Sequence, residues 1–181
     1  DLSAAYANDG FRRRSELAQM GFREVAFLDH DDEEDVQVVF AESPTNFVVA
    51  VRGTDGAEDF FTDLKIGQYQ VDWFSGNLQV HNGFNDSARA VYSQVRSRVR
   101  TAQAQGRRVF ITGHSLGGAI AQILALRLTL DGNKPAGVYT FGSPRVGDAG
   151  WKSNYESRLS SITHRFVNEG DKIPCAPVIE R

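Results

Sequence analysis

Val109-Phe110-Ile111-Thr112-Gly113-His114-Ser115-Leu116-Gly117-Gly118-Ala119-Ile120 is the stretch on which the fold of this chain turns. Its first four residues are β-branched or aromatic and read as a short buried strand. From Leu116 onward, Ala119, Ile120, Ile123, Leu124, Leu126, Leu128 and Leu130 read as a strongly apolar helix, which Asp131-Gly132-Asn133 and Pro135 bring to a stop. Between strand and helix stands G-x-S-x-G, here Gly113, Ser115 and Gly117. With 17 glycines in 181 residues the pattern says little alone, so the strand before it and the helix after it carry the weight. A serine on such a turn is held in a strained backbone conformation that lifts its hydroxyl above the sheet. Side chains two residues to either side would collide with strand and helix, which accounts for Gly113 and Gly117. The first-turn amides of the helix, Leu116 foremost, point where an oxyanion would develop. Ser115 is therefore the candidate nucleophile and the Leu116 amide a candidate oxyanion donor.

Outward from this turn the chain alternates. Val138–Phe141 reads as a strand, a helix lies around Trp151–Tyr155, and Ile162–Val167 reads as another strand, which implies parallel βαβ units. Upstream, Phe84, Ala88, Val91, Val95, Val99 and Ala102 give a helix over 84–104, with arginines 89, 96, 98 and 100 on a solvated outer face. Glu24–Leu28, Val36–Phe40 and Phe47–Val51 read as strands, the last two joined by the turn Ser43-Pro44-Thr45-Asn46. Residues 2–20 read as one helix, or two broken at Gly10, with Gly21 as the stop. The expected fold is α/β, a mostly parallel central sheet flanked by helices, with residues 1–181 forming one domain.

Bulk properties narrow the function. Hydrophobic residues make up 41% and charged residues 24%, an ordinary globular composition, and the net charge of -3 gives no reason to expect nucleic acid as a partner. No apolar run reaches the roughly 20 residues a membrane-spanning helix needs. The single cysteine, Cys175, forms no internal disulfide and reads as a small packing residue. The acidic run Asp29–Asp35 (with His30 inside it) lacks the glycine of a calcium loop and reads as a solvated turn. No Cys/His cluster suggests zinc, so no metal and no cofactor is expected.

Five segments in the same order resemble the class 3 (fungal-type triacylglycerol) lipases, whose fold is the α/β-hydrolase. Gly113-His114-Ser115-Leu116-Gly117-Gly118 is similar to the family's nucleophile elbow. Val51-Arg52-Gly53-Thr54 resembles its oxyanion-hole strand end, and His81-Asn82-Gly83-Phe84 the stretch before its long helix. Phe141-Gly142-Ser143-Pro144-Arg145-Val146-Gly147 resembles the loop after the elbow helix and next strand. Val167-Asn168 with Asp171-Lys172-Ile173-Pro174 resembles the acid loop. The likeness covers residues 47–174. It implies a serine carboxylester hydrolase acting on lipid or other ester substrates, with Thr54 as second oxyanion donor through its amide and hydroxyl. It implies Asp171 as the acid that orients a histidine, in the chain order serine then acid. Asp148, also past a strand, is the rival acid. The resemblance further implies an amphipathic lid helix after Thr54, where Phe60, Phe61 and Leu64 stand among Glu58, Asp59 and Asp63, meeting a lipid–water interface transiently. It slightly favours secretion; no signal peptide opens the chain, which leaves open a processed form starting at Asp1. Alternatives on the same scaffold are a phospholipase, a feruloyl-type esterase or a non-catalytic lipase-like binding domain.

The departure from the family's pattern is its base. The order requires a histidine after the acid, and none follows Asp171. His114 would pack beneath the elbow, His164 sits inside a strand below its active end, His81 precedes the long helix in a capping position, and His30 lies in the acidic turn. The expectation is a chain lacking its C-terminal part, with the catalytic histidine downstream of residue 181 on a segment that complements the fold, and weak hydrolysis by these 181 residues alone.

Overall fold

The computed structural model describes residues 10–30, 36–53, 68–76 and 78–175. Helix α1 (Gly10–Gln19) ends at Gly21, whose φ of 78° lets the chain turn where a side chain would be strained. Residues 1–9, where the expected helix began, lie outside the described residues. Strands β1 (Arg23–His30), β2 (Val36–Glu42) and β3 (Asn46–Val51) form an antiparallel meander. Each is one to three residues longer than the sequence pattern suggested. In particular β1 runs through Asp29 and His30, so the acidic run starts inside a strand; residues 31–35 lie outside the described ones. Asp29 is held there by Gln37, whose Nε2 donates to Oδ1 at 2.7 Å.

The short pair β4 (Gln68–Gln70) and β5 (Gln79–His81) makes a second small sheet that periodicity did not signal. Three-residue strands are too short for a period to show. Then come α2 (Asn82–Ala104), β6 (Arg108–His114), α3 (Leu116–Leu130), β7 (Gly137–Phe141), α4 (Ala149–Leu159) and β8 (Thr163–Phe166). The main sheet has six strands in the order β1-β2-β3-β6-β7-β8, and β3, β6, β7 and β8 are all parallel. This is the mostly parallel, helix-flanked architecture of an α/β-hydrolase.

The larger core lies between the sheet and helices α2, α3 and α4. Phe40, Val49, Val51, Val109, Ile111 and Val138 from the strands meet Phe84, Val91, Val95, Ile120, Ile123, Leu124 and Leu159 from the helices. α3 is apolar all round because it is buried all round, packed against α2, β6 and β7. A smaller cluster, Leu17, Val39, Ala41 and Ala50, lies under α1 on the opposite face. The arginines of α2 divide. Arg89 and Arg100 are exposed, whereas Arg96 pairs with Asp131 at 3.0 Å and Arg98 covers the Phe40 ring at 5.0 Å. The solvated face expected of these arginines describes Arg89 and Arg100, while the long stems of Arg96 and Arg98 reach the helix edge. Cys175, expected to pack, is exposed. Among the described residues no helix is long and apolar enough to cross a membrane, and no group of three His, Cys, Asp or Glu could hold a metal.

Candidate active site

Four parallel strands end on one side of the molecule, and residues one to five positions past those ends build the site, as expected at the carboxyl edge of an open α/β sheet. Ser115 follows β6. Its φ of 51° and ψ of -126° make it the only non-glycine residue with positive φ among the described ones. The surroundings impose this strain. Ser115 N–H donates to the Phe141 carbonyl at 2.9 Å, tying the turn to β7, while the Ser115 carbonyl accepts from Gly118 at 2.9 Å to start α3. A Cβ on Gly113 would sit 2.2 Å from the Gly117 carbonyl oxygen, and one on Gly117 would sit 2.4 Å from that of Val51. The two glycines thus let helix, strand β6 and the end of β3 close on one another.

Ser115 occupies the N-cap position of α3, where a serine ordinarily accepts a hydrogen bond from the first turn; here it makes none. The residue is 2% exposed, and its Oγ has no hydrogen-bond partner among the described residues. A hydroxyl that forgoes its cap and is held at a strained φ is available for chemistry. The Leu116 amide, being in the first turn, has no partner four residues back within the helix. Gly53, after β3, lies against this turn: a Cβ there would be 2.6 Å from the His114 carbonyl oxygen and 3.3 Å from Ser115 Cβ. Its strand end is fixed by Arg52, whose Nη1 donates to Gln37 Oε1 at 2.8 Å. Thr54, Phe60, Phe61 and Leu64 lie outside the described residues.

Asp171 follows β8 on a loop folded back toward the ends of β6 and β7. Its Oδ1 accepts from the Ile173 amide at 2.9 Å, and its own amide donates to the Asn168 carbonyl at 3.2 Å. Its Oδ2 would lie 2.9 Å from a Cβ on Gly142, the residue after β7. His114 Nε2 lies 3.7 Å from that same point, so imidazole and carboxylate flank Gly142. The half-buried His114 ring is therefore on the acid's side of the sheet end rather than packed beneath the elbow. Asp148, the rival acid, is otherwise engaged: its Oδ1 caps α4 through the Trp151 amide at 2.7 Å and accepts from the Gln79 amide at 3.3 Å.

The other histidines are placed apart. His81 stands at the N-cap of α2 but makes no cap bond, which corrects its expected role. It is 4% exposed, packs on Phe84 with ring centroids 4.5 Å apart, and has no hydrogen-bond partner at either nitrogen among the described residues. Burial lowers its pKa from the ordinary 6.5. His164 stacks on Tyr139 at 4.7 Å, within β8. His30 is the last residue of β1, at the far edge of the sheet. Beside Asp171 an apolar rim is formed by Phe141 and Phe166, stacked at 5.0 Å, and by Val167; all three are exposed. Sequence reasoning missed the roles of Gly53 and Gly142, since no local pattern marks a residue needed for its lack of a side chain toward a distant segment.

The family profile for lipase (class 3) matches residues 48–181. The secreted mono- and diacylglycerol lipase 1 of Fusarium solani is 34% identical over 134 residues, which is 73% of this chain and 39% of that protein. The Rhizomucor miehei lipase, solved in its propeptide complex, superposes with a TM-score of 0.79 at 27% identity over 89% of this chain and 53% of that one. A solved triacylglycerol lipase, described as having a catalytic centre formed by a serine protease triad, superposes with a TM-score of 0.78 at 27% identity, covering 89% of this chain and 63% of that one. The chain spans about 40% of the length of the curated relatives it matches.

Proposed function

The chain belongs to the class 3 lipase family, and on that premise we propose that it cleaves carboxylic esters of acylglycerols through an acyl-enzyme on Ser115. One observation carries the proposal: Ser115 alone among the described non-glycine residues has positive φ, at a strand-to-helix turn, with an uncommitted hydroxyl. In the reaction, Ser115 Oγ adds to the ester carbonyl carbon as a base takes its proton. The carbonyl oxygen becomes an oxyanion that accepts from the Leu116 amide and from the Thr54 amide and hydroxyl. Collapse expels the alcohol, which receives the proton back from the base, and water then releases the acid from Ser115 by the same steps.

Thr54 is supported by the contact of its neighbour Gly53 with the elbow. Asp171 is supported as the acid by its place beside the ends of β6 and β7, and by the capping role that occupies Asp148. The triad named for a solved relative agrees with this reading. Phe60, Phe61 and Leu64 supply the sequence of a small amphipathic cover, and the rim of Phe141, Phe166 and Val167 gives an acyl chain apolar surface beside the acid. The word "secreted" in the Fusarium relative's name supports an extracellular setting. In the family's order the base follows the acid, and no histidine follows Asp171, so these 181 residues by themselves are expected to turn over slowly.

The test is covalent labelling. A fluorophosphonate is expected to attach at Ser115 slowly, identified by mass spectrometry, and Ser115→Ala to take no label. Label on another residue, or hydrolysis of a short-chain p-nitrophenyl ester that survives Ser115→Ala, overturns the proposal. Rapid turnover by the 181-residue chain overturns the expectation that its base is lacking. Preference for emulsified acylglycerol over phospholipid or soluble esters separates the lipase reading from the other esterases.

A further inference from the structure

Arg165, on the exposed edge strand β8, is a cation whose partners are carbonyl oxygens. Its Nη2 donates to the Pro174 carbonyl at 3.1 Å and its Nη1 reaches the Pro144 carbonyl at 3.5 Å. Among the described residues it forms no ion pair with a carboxylate; the charge nearest in effect is that of Arg145, which repels it. Guanidinium bonds to carbonyls are charge-assisted, and the planar fork allows two acceptors to be held at a fixed separation.

The two carbonyls belong to the two loops that flank the candidate acid. Pro144 follows the fully buried Ser143, whose Oγ accepts from Gln122 Nε2 of α3 at 2.9 Å and donates to the same Pro144 carbonyl at 3.2 Å. Pro174 is buried in the short turn Ile173–Cys175, and the amide of Ile173 donates to Asp171 Oδ1 at 2.9 Å. A continuous path thus runs from the nucleophile's helix through Gln122, Ser143, the Pro144 carbonyl, Arg165 and the Pro174 carbonyl to Ile173 and the carboxylate. Gly142 closes the other side, because any side chain there would press on Asp171 Oδ2 at 2.9 Å.

We propose that Arg165 is a positioning residue that ties the loop carrying Asp171 to the loop anchored on the nucleophile's helix, setting where the acid stands relative to Ser115. This deepens the reading of Asp171 as the acid and rests on it. Arg165 touches no reacting atom. Its effect passes through Pro174 and Ile173.

The experiment compares the full chain with Arg165→Gln, Asp171→Asn and the double variant by amide hydrogen exchange and, with imidazole added as the base, by the rate of fluorophosphonate labelling at Ser115. Loss of a charge-assisted tether is expected to speed exchange at the Ile173 amide roughly tenfold in Arg165→Gln, with the Ile123 amide in α3 unchanged. Labelling is expected to slow by a similar factor, and Arg165→Gln is expected to add nothing in the Asp171→Asn background. Unchanged exchange at Ile173 overturns the proposal. Equal acceleration at Ile173 and Ile123 overturns it in favour of a general structural role, and so does a full Arg165 effect persisting beside Asp171→Asn. Labelling that is unaffected by Asp171→Asn would instead overturn the reading of Asp171 as the acid, while the exchange data judge the tether on their own.

Discussion

Ser115 is the residue at which local preference loses to tertiary structure. A serine at an N-cap ordinarily turns its hydroxyl into the helix, and a non-glycine residue ordinarily avoids positive φ. Here both preferences are overridden, because the Phe141 carbonyl, the close approach of Gly113 to Gly117 and the contact with Gly53 determine the path of the turn. Strain of this kind costs about 1–3 kcal/mol. Ser115→Gly is accordingly expected to raise the unfolding free energy by about 1 kcal/mol while abolishing labelling, since glycine accepts φ of 51° without penalty. Urea denaturation checks this, and a loss of stability would show that the serine is not strained. The motif and its flanks made Ser115 and the two glycines legible in the sequence. The need for glycine at positions 53 and 142 was not, because each faces a segment far along the chain: Gly53 faces His114 and Ser115, and Gly142 faces Asp171.

At the scale of elements, periodicity predicted α3 to its observed bounds and placed the ends of α2 and of most main-sheet strands within one to three residues. The longest and most uniformly apolar segments read best, because burial on several sides leaves the pattern uninterrupted. The attachment of α1 was not legible. It depends on Arg13, 3% exposed, which donates through Nε and Nη2 to the Glu24 carboxylate of β1 and lies over the Phe27 ring at 4.3 Å. The pair closes one end of the cluster of Leu17, Val39, Ala41 and Ala50. A buried ion pair is costly to break from one side only. Glu24→Leu is expected to cost about 3–5 kcal/mol by removing the carboxylate that the buried guanidinium donates to, and Arg13→Met with Glu24→Leu much less. Equal losses in the single and double variants, measured by urea denaturation, would show that the charge pairing is not what holds α1.

For the molecule as a whole, a buried histidine links stability to pH. Burial favours the neutral form of His81, so its folded pKa lies below 6.5. As pH falls through 6.5 the unfolded chain binds this proton first, and the stability contributed at higher pH is lost progressively toward the folded value. Replacing the imidazole with a neutral group of similar reach, His81→Gln, is expected to flatten the decline in stability below pH 6.5. A decline equally steep in both proteins, followed by denaturation at several pH values, would remove His81 as its source. The amino-acid order by itself determined the parallel strand–helix alternation, the elbow with its serine, and the succession of family motifs, because these depend on residues near one another along the chain. Only the tertiary structure decided that Asp148 caps a helix while Asp171 stands beside the ends of β6 and β7. It likewise decided that His81 is buried against Phe84 and that Arg165 spans two loops. Those outcomes are set by which strand ends lie side by side, and long-range strand pairing is not written in any local run of residues.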